Sequence, residues 1–337
     1  MIVLDSSFKQ IMSDIFQLAD KPNQELFFKR GDARDVRLGE TVSFNKKDYE
    51  ASDIVILGCP QDEGVARNKG RIGAALAPET IRAQFYKLTN FGAKAKIFDL
   101  GNTKIAPTLE ETHDTQTEIV SQILRDGKRI IALGGGNDIS YADGCAASVV
   151  FGAENWLCFN IDAHFDVRAD KPRNSGTPYR QLLEEKLLKA ENFYEMAYQP
   201  QANSPVYFDY LRNLGVRLKS LGELREYPSY KFQNSSIAER FQEIFINRRA
   251  SKTDAAFWGF DLDAVRAADA PGVSSPSPIG LTAEEFIALA KLAGSKKQTR
   301  IIEFTEVNPN FDIDNRTARL VAIAMHAFCS GFVADVA

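Results

Sequence analysis

The sequence contains few of the features that build disulfide scaffolds, membrane spans or nucleic-acid-binding surfaces. Its four cysteines lie far apart without a CxxC pair, so we expect reduced thiols, as in a cytosolic protein. No apolar run approaches the roughly 20 residues that span a bilayer, and the amino terminus is charged, unlike a signal peptide. A formal net charge of −4 argues against general nucleic-acid binding. These absences predict a cytoplasmic protein without a membrane or nucleic-acid partner.

Short apolar runs alternate with amphipathic segments along the chain. Strands are predicted at residues 54–59, 95–101, 129–133, 156–159, 255–258 and 300–307. Helices are predicted at residues 78–86, 109–125, 181–189 and 237–248 and from about 316, and a strand–helix unit at 204–221. This alternation indicates a parallel sheet covered by helices on both faces. No segment is typical of a linker, so we predict one domain over residues 1–337.

Local signals define the beginnings of several elements. Residues 1–50 form an amphipathic lead-in, in which Phe8, Ile11, Ile15 and Leu18 recur at helical spacing. A proline at position 78 suits the first turn of a helix, and residues 282–285 have the pattern of a capping box. Residues 270–280 contain too much proline and glycine for regular structure. These signals place the elements without identifying their function.

Five side chains with metal-ligand chemistry follow two of the predicted strands. They are Asp162, His164, Asp166, Asp261 and Asp263. Ligands gather outside the carboxyl ends of parallel strands, and residues two apart in a strand share a face, so we expect these groups to converge. An N-cap aspartate and a solvated aspartate at separate strand ends would explain one or two of them, but not five. Oxygen ligands with one imidazole suit Mn²⁺, so the sequence predicts a metal site.

Two polar loops and a triple glycine are further candidates for ligand contact. Residues 61–73 form a glycine-rich, arginine-bearing loop that does not fit the GxGxxG pattern. A substrate loop and a flexible surface connection are both open interpretations of it. Residues 174–180 form a second polar loop, and three glycines precede Asn137. Glycines there let the backbone turn tightly and approach a ligand closely.

Together these motifs resemble the ureohydrolase superfamily, which includes arginase, agmatinase and formimidoylglutamase. Residues 162–166 resemble its DAHxD motif, and residues 304–309 its EVNP element. Residues 261–263, 269–272 and 278–282 resemble the DxD…PG…PxGGLT segment, with Ile279 and Gly280 where the family has two glycines. The loops at 62–71 and 174–180 are similar to those of the formimidoylglutamase branch.

The resemblance implies a three-layer α/β/α fold around a central parallel sheet, two Mn²⁺ ions per subunit, and a trimeric or hexameric homo-oligomer. The implied metal ligands are Asn137, Asp162, His164, Asp166, Asp261 and Asp263. Of these, Asp162 and Asp261 would bridge the two ions. Asp166 would accept a hydrogen bond from the attacking water and pass its proton to the leaving amine, and Glu306 would pair with the cationic head of the substrate.

The same resemblance implies a set of substrate-binding residues, which are Arg67, Asn68, Arg71, Asn174, Ser175, Arg180 and Glu306. The three arginines could hold substrate carboxylates, since guanidinium groups match carboxylate geometry; surface solvation is the alternative for each of them. The substrate implied is N-formimidoyl-L-glutamate, hydrolysed to L-glutamate and formamide. The alternatives are another guanidino compound, or a metal-poor member of the family without activity.

One position departs from the family pattern. Asn137 occupies the place of a metal-binding histidine, and it offers a neutral carbonyl oxygen or only a hydrogen bond near the metal. We therefore expect that metal position to be weak or empty. The chain has three histidines, and His113 and His326 are interpreted as structural. No histidine lies in the substrate loops to act as the proton shuttle of arginases, which counts against arginase itself.

Overall fold

Nine strands form one sheet in a computed structural model that describes residues 14–226, 237–246 and 253–333. The strands are β1 (Ala19–Asp20), β2 (Ile54–Cys59), β3 (Ile97–Thr103), β4 (Arg129–Gly134), β5 (Trp156–Ile161), β6 (Phe193–Tyr198), β7 (Arg217–Ser220), β8 (Ala255–Asp261) and β9 (Thr299–Thr305). Their order in the sheet is β1-β3-β2-β4-β9-β8-β5-β6-β7. The short β1 pairs antiparallel with β3, and all other pairs are parallel.

Helices cover both faces of this sheet. They are α1 (Ile15–Leu18), α2 (Leu38–Thr41), α3 (Glu63–Arg67), α4 (Ala77–Phe85), α5 (Leu109–Arg125), α6 (Ile139–Phe151), α7 (Pro178–Glu184), α8 (Pro205–Leu214), α9 (Leu221–Arg225), α10 (Ile237–Ile246), α11 (Ala283–Ser295) and α12 (Arg316–Gly331). Among the described helices, none is both long and apolar enough to cross a membrane.

The core is divided by the sheet into two apolar layers, as the alternation of side chains along a strand requires. Ile54 and Ile56 of β2 pack in one layer with residues of α4, α11 and α12. Val55 and Leu57 of the same strand pack in the other layer with residues of α5 and α6. Every residue of β2, β4, β5, β6 and β8 is buried, which explains the apolar runs of β2, β4, β5 and β8. The predicted three-layer α/β/α fold is confirmed.

Several predicted helix signals are found in the structure. The helix at 109–125 has the predicted bounds, and Pro78 lies in the first turn of α4. At the start of α11, Thr282 Oγ1 accepts a hydrogen bond from Glu285 N (3.2 Å), and Glu285 Oε2 accepts one from Thr282 N (2.8 Å). This reciprocal pair is the predicted capping box.

Residues 178–221 differ most from the sequence-based prediction. The helix expected to continue to residue 189 is α7, which ends at Glu184; two residues later Lys186 has a φ of 59°. The following strand, β6, which contains the buried Glu195, was not predicted. The predicted strand–helix unit at 204–221 runs in the opposite order, since Pro205 begins a helix and the strand follows it. The predicted helical positions Phe8 and Ile11 lie outside the described residues.

Strand order determines which loops can meet. Strands β4, β9, β8 and β5 are consecutive neighbours in the middle of the sheet, although they are far apart in sequence. Because they are parallel, their carboxyl ends lie at the same edge. The loops that follow these four strands therefore surround one point of the sheet edge, where open α/β sheets bind ligands.

Candidate metal centre

The predicted metal ligands lie at the carboxyl ends of neighbouring strands. Asn137 follows β4, Asp162 follows β5, Asp261 is the last residue of β8, and Glu306 follows β9. Except for His164 and Asp166, which are half-buried, the side chains of this group are buried. The sheet therefore gathers one imidazole and several carboxylates in a largely desolvated space.

Turns, and not strand alternation, bring the acidic side chains together. β5 ends at Ile161 and β8 ends at Asp261, so the expectation that alternate strand residues share a face does not apply. Instead, Asp162 Oδ1 accepts a hydrogen bond from His164 N (2.6 Å), and Asp261 Oδ1 accepts one from Asp263 N (2.9 Å). Each aspartate fixes its own loop by bonding to the backbone two residues on. The convergence was predicted, but its stated reason was wrong.

Two overlapping groups of side chains have the geometry of a metal site. The ligand atoms of Asp162, His164 and Asp263 lie within 4.8 Å of one another, and so do those of Asp162, Asp166 and Asp261. His164 Nδ1 lies 2.9 Å from Asp263 Oδ2 and 3.5 Å from Asp162 Oδ1. Asp162 belongs to both groups, which is the placement of a bridging carboxylate.

Ionisation of the carboxylates in this cluster costs free energy when no cation is bound to them. Burial, with repulsion from neighbouring carboxylates, raises the pKa of Asp162 and of Asp261 well above the usual range. The charge of Asp263 raises the pKa of His164 to about 12. Burial alone would raise the pKa of Asp263, but the His164 imidazolium holds it below its ordinary value. A proton on His164 thus offsets part of the negative charge, and a divalent ion held by the same atoms would offset more.

The donor set fits such an ion. Asp263 Oδ1 is buried and has no hydrogen-bond partner among the described residues, although an orphaned buried carboxylate oxygen is costly. Carboxylate oxygens with one imidazole nitrogen suit Mn²⁺ and similar divalent cations. The residues present therefore match the metal expected from the sequence.

Two acidic side chains of the site are held by strained backbone. Asp166 has a φ of 48° and Glu306 a φ of 63°, in the left-handed region that non-glycine residues rarely adopt. Glu306 is fixed there because its N–H donates to Gly135 O (2.9 Å) and its Oε1 accepts a hydrogen bond from Asn137 N (2.9 Å). Strain of about 1–3 kcal/mol per residue is retained mostly at functional sites. Burial also raises the pKa of Asp166, to about 6.

Asn137 turns its amide nitrogen towards the cluster. Its Nδ2 donates to Asp166 Oδ2 (2.6 Å), and its Oδ1 accepts hydrogen bonds from Ser140 Oγ (2.9 Å) and Thr305 Oγ1 (3.0 Å). Its amide is therefore hydrogen-bonded to an acidic neighbour, and its role towards a metal stays a prediction. The oxygen that could bind a metal is engaged with two hydroxyl groups.

A cavity of about 540 Å³ opens above the cluster. The predicted site residues in its lining are Asn68, His164, Asp166, Ser175, Asp261, Asp263 and Glu306. Other lining residues, which the sequence did not single out, include Lys69, Arg168, Asn203, Tyr207, Ser274 and Ser275. The loop at 61–73 therefore contributes to the cavity wall, which favours the interpretation as a substrate loop.

The three predicted arginines lie outside this lining. Arg67 Nη1 donates to Glu110 Oε1 (2.7 Å), and Arg71 Nε donates to Ser274 O (2.8 Å). Arg180 forms an ion pair with a glutamate one turn later in α7 at 2.7 Å. Each guanidinium group is thus engaged in contacts that hold loops or helices together.

The turn at residues 174–177 positions Ser175 and leaves room for the side chain of Arg168. Asn174, predicted to bind substrate, is buried, and its Oδ1 accepts a hydrogen bond from Gly176 N (2.9 Å). This turn places Ser175 in the cavity lining, where its Oγ accepts a hydrogen bond from Asn68 Nδ2 (3.0 Å). Gly176 leaves room for Arg168, since a Cβ on it would lie 2.8 Å from Arg168 Cδ. The position of Arg168, two residues after Asp166, was the sequence signal that could have identified it.

Comparison with known proteins agrees with this fold. A three-layer α/β/α fold with a carboxylate–imidazole cluster at the carboxyl edge of its sheet is typical of metal-binding α/β proteins. The model of the arginase family matches residues 52–330, and the chain belongs to this family. It is 32% identical to a formimidoylglutamase of Staphylococcus aureus over 305 residues, which cover 88% of this chain and 94% of that protein.

Solved structures give the same result. The structure of Trypanosoma cruzi formiminoglutamase with Mn²⁺ matches with a TM-score of 0.78 and 31% identity, over 88% of this chain and 98% of that one. Formimidoylglutamase from Bacillus subtilis matches with a TM-score of 0.80 over 90% of this chain and 94% of that one; at 23% identity it supports the fold alone.

Proposed function

We propose that this protein is a manganese-dependent hydrolase that converts N-formimidoyl-L-glutamate and water into L-glutamate and formamide. The observation that carries the proposal is the pair of overlapping carboxylate–imidazole groups at the floor of an open cavity. The relatives from Staphylococcus aureus and Trypanosoma cruzi, at 32% and 31% identity, bear the names formimidoylglutamase and formiminoglutamase. The second of these contains Mn²⁺, which supports the choice of metal.

Two Mn²⁺ ions per subunit are proposed. Asp162, His164 and Asp263 would hold one, and Asp162, Asp166 and Asp261 would hold the other, following the two groups of converging ligand atoms. When bound, manganese supplies positive charge that lowers the pKa of water and makes it a nucleophile near neutral pH.

The protein's own residues would then direct the cleavage of the amidine C–N bond. Asp166 lines the cavity at its floor, where its carboxylate can accept the proton of the attacking water and pass it to the leaving nitrogen. Glu306 also lines the cavity and would pair with the cationic amidine through a charge-assisted hydrogen bond. The amine leaves as glutamate, and the formimidoyl carbon leaves as formamide.

Substrate carboxylates require a cation in the cavity wall. Arg168 provides one, because its side chain lines the cavity beside Ser175, whereas Arg67, Arg71 and Arg180 are outside the lining. A guanidinium group recognises a carboxylate through two parallel hydrogen bonds. We assign the α-carboxylate of the substrate to Arg168.

Hydrolysis of a substrate panel with added Mn²⁺ tests the proposal. Formimidoylglutamate should yield formamide, while agmatine, which has no carboxylate, should be a poor substrate. Urea released from agmatine or arginine at a comparable rate would point to another guanidino substrate. No turnover, together with no bound metal, would identify a non-catalytic member of the family. We further propose a trimeric or hexameric homo-oligomer; the cytoplasmic location stays a prediction.

A further inference from the structure

Two lysine or arginine side chains line the cavity, and both lack partners. They are Lys69 and Arg168. Within the described ranges, neither side chain makes a hydrogen bond or an ion pair, whereas the nearby Arg67 and Arg71 are both engaged. Two unpaired cations at the mouth of a cavity with an acidic floor indicate a binding site for a ligand that is cationic at one end and anionic at the other.

The backbone of Lys69 is strained. Its φ is 60°, a conformation that glycine adopts freely and lysine rarely does. The conformation is fixed by its surroundings, since Lys69 N donates to Ala66 O (3.0 Å) and the next residue, Gly70, donates to Val65 O (2.9 Å). On its other side, Asn68 is tied to Ser175 Oγ (3.0 Å). The bonds of Lys69 N and Gly70 N are those of a helix that ends in a left-handed residue, and the same arrangement fixes Lys186 after α7. The end of α3 therefore explains the φ of Lys69, and it places this lysine on the cavity wall.

The two cations are placed at different points of the cavity wall. Both are exposed, but Arg168 is only two residues after Asp166 of the acidic cluster, whereas Lys69 belongs to the loop that follows α3. In formimidoylglutamate the α-carboxylate is attached to the carbon next to the amidine nitrogen, and the second carboxylate lies at the far end of the side chain. Arg168, the cation nearer to Asp166 along the chain, is therefore assigned to the first carboxylate, and Lys69 to the second.

We propose that Lys69 is a specificity-determining residue that binds the side-chain carboxylate of the substrate, so that the cavity selects a dicarboxylate. The proposal rests on the proposed function, because it assumes an amidine bound at the cluster. It adds a distinct requirement, namely that the second negative charge of the substrate is recognised by a single lysine.

A paired change of residue and substrate tests this assignment. The variants are Lys69→Met, which removes the charge and keeps the backbone strain, and Lys69→Gly, which removes both. Lys186 supplies the matched control, since it is exposed, has a φ of 59° and lies outside the cavity lining. The substrates are N-formimidoyl-L-glutamate and N-formimidoyl-L-glutamine, which differ in the charge of the side chain alone.

The expected result is a KM effect that depends on the substrate. Lys69→Met should raise KM for the glutamate derivative about tenfold, as the loss of one charge-assisted contact predicts, with kcat little changed. The KM for the glutamine derivative should be the same in wild type and variant, and Lys69→Arg should restore binding of the glutamate derivative. Lys69→Gly should show the same KM effect without a fall in Tm, because glycine tolerates this φ. Lys186→Met and Lys186→Gly should leave both KM values unchanged.

Two results would overturn the proposal while leaving the proposed function intact. If Lys69→Met raises KM equally for both substrates, Lys69 acts through the shape of the loop and not through its charge. If KM for the glutamate derivative is unchanged, the second carboxylate is bound elsewhere. A wild-type protein that hydrolyses neither derivative with Mn²⁺ present would instead refute the proposed function, and this assignment with it.

Discussion

The floor and the mouth of the cavity are built in different ways. The floor consists of Asp162, His164, Asp166, Asp261 and Asp263, which stand within a few residues of two adjacent strand ends. The mouth takes Arg168 and Ser175 from the segment just after the floor residue Asp166, and Lys69, Tyr207 and Ser274 from segments that are distant in sequence. Pairing of β5 with β8 and two local turns suffice to assemble the floor. Assembly of the mouth needs the packing of several loops, so reaction chemistry and substrate choice depend on different parts of the fold.

The largest effect is expected from removing a carboxylate of the floor. Asp162→Ala should abolish metal binding and hydrolysis together, because Asp162 belongs to both groups of ligand atoms. Asp261→Ala should do the same. We expect activity to fall by on the order of a thousandfold or more, as for the loss of a central catalytic group. Metal content and formamide release, measured on the same preparation, check this.

Asp170→Ala supplies the control for these variants. Asp170 is exposed, follows the same strand and lies outside the cavity lining, so its loss should change neither quantity. Near wild-type turnover and metal content in Asp162→Ala would remove the metal-site interpretation.

The contrast between floor and mouth also explains what the sequence could and could not predict. Acidic residues two apart after apolar runs are a local pattern, and the turn hydrogen bonds that order them are equally local. The sequence therefore predicted the floor, although it attributed the convergence to strand faces. Arg67 and Arg180 were predicted to bind substrate because of their residue type and loop position. The ion pair of Arg67 with Glu110 depends on tertiary packing, which no local pattern records. The ion pair of Arg180 with Glu184 is a local i,i+4 contact within α7, which the sequence pattern could have indicated.

The same limit applies to the fold. The central strands were predicted because burial on both faces makes them continuously apolar. Strand β6 was missed; it contains the buried Glu195, whose Oε1 accepts a hydrogen bond from Asn160 Nδ2 (2.9 Å). A buried acid does not by itself prevent the prediction of a strand, because β9 was predicted although its Glu303 is buried too. The partner that makes burial of Glu195 possible lies on the neighbouring strand β5, which the local sequence does not show.

At the mouth, exchange of one arginine tests which guanidinium binds the substrate. Arg168→Ala should raise KM for formimidoylglutamate about 10- to 150-fold, since loss of a charge-assisted contact costs roughly 1.5–3 kcal/mol. Arg180→Ala is the matched control, because Arg180 is paired within α7 and its guanidinium lies 4.4 Å from the ring centre of Tyr210. It should leave KM unchanged. If steady-state kinetics instead show that KM rises in Arg180→Ala and is unchanged in Arg168→Ala, the substrate carboxylate is bound by Arg180.

At the boundary of the floor, we expect Asn137 to affect the retention of one metal ion. Its Nδ2 faces Asp166, and its oxygen is held by Ser140 and Thr305, so we expect it to contribute less to metal binding than an imidazole would. Asn137→His should raise Mn²⁺ affinity by about tenfold or more, measured as metal retained after dialysis. The wild type should lose one of its two ions more readily than the other.

The variant Asn137→Ala tests whether the Asn137 side chain binds a metal ion or only donates a hydrogen bond to Asp166. If Asn137 serves only as a hydrogen-bond donor to Asp166, the alanine variant should retain as much metal as the wild type. A marked loss of metal in Asn137→Ala would show that the asparagine is a ligand. Two ions held firmly by the wild type through dialysis would contradict the expectation of a weak position.

The smallest effect should come from a change that moves the mouth without altering its charge. In Gly176→Ala the new Cβ would lie 2.8 Å from Arg168 Cδ and 3.0 Å from its Nε, so the arginine side chain must shift. The shift is cheap, because the side chain is flexible and Gly176 does not have a positive φ. We expect a few-fold rise in KM, smaller than that of Arg168→Ala, with Tm and metal content unchanged.

Gly222→Ala in α9, whose Cβ would meet only Ser220 Oγ at 3.9 Å, should leave KM as it is. Because the floor does not contact Gly176, a fall in metal retention in Gly176→Ala would show that floor and mouth are coupled, contrary to their separate construction.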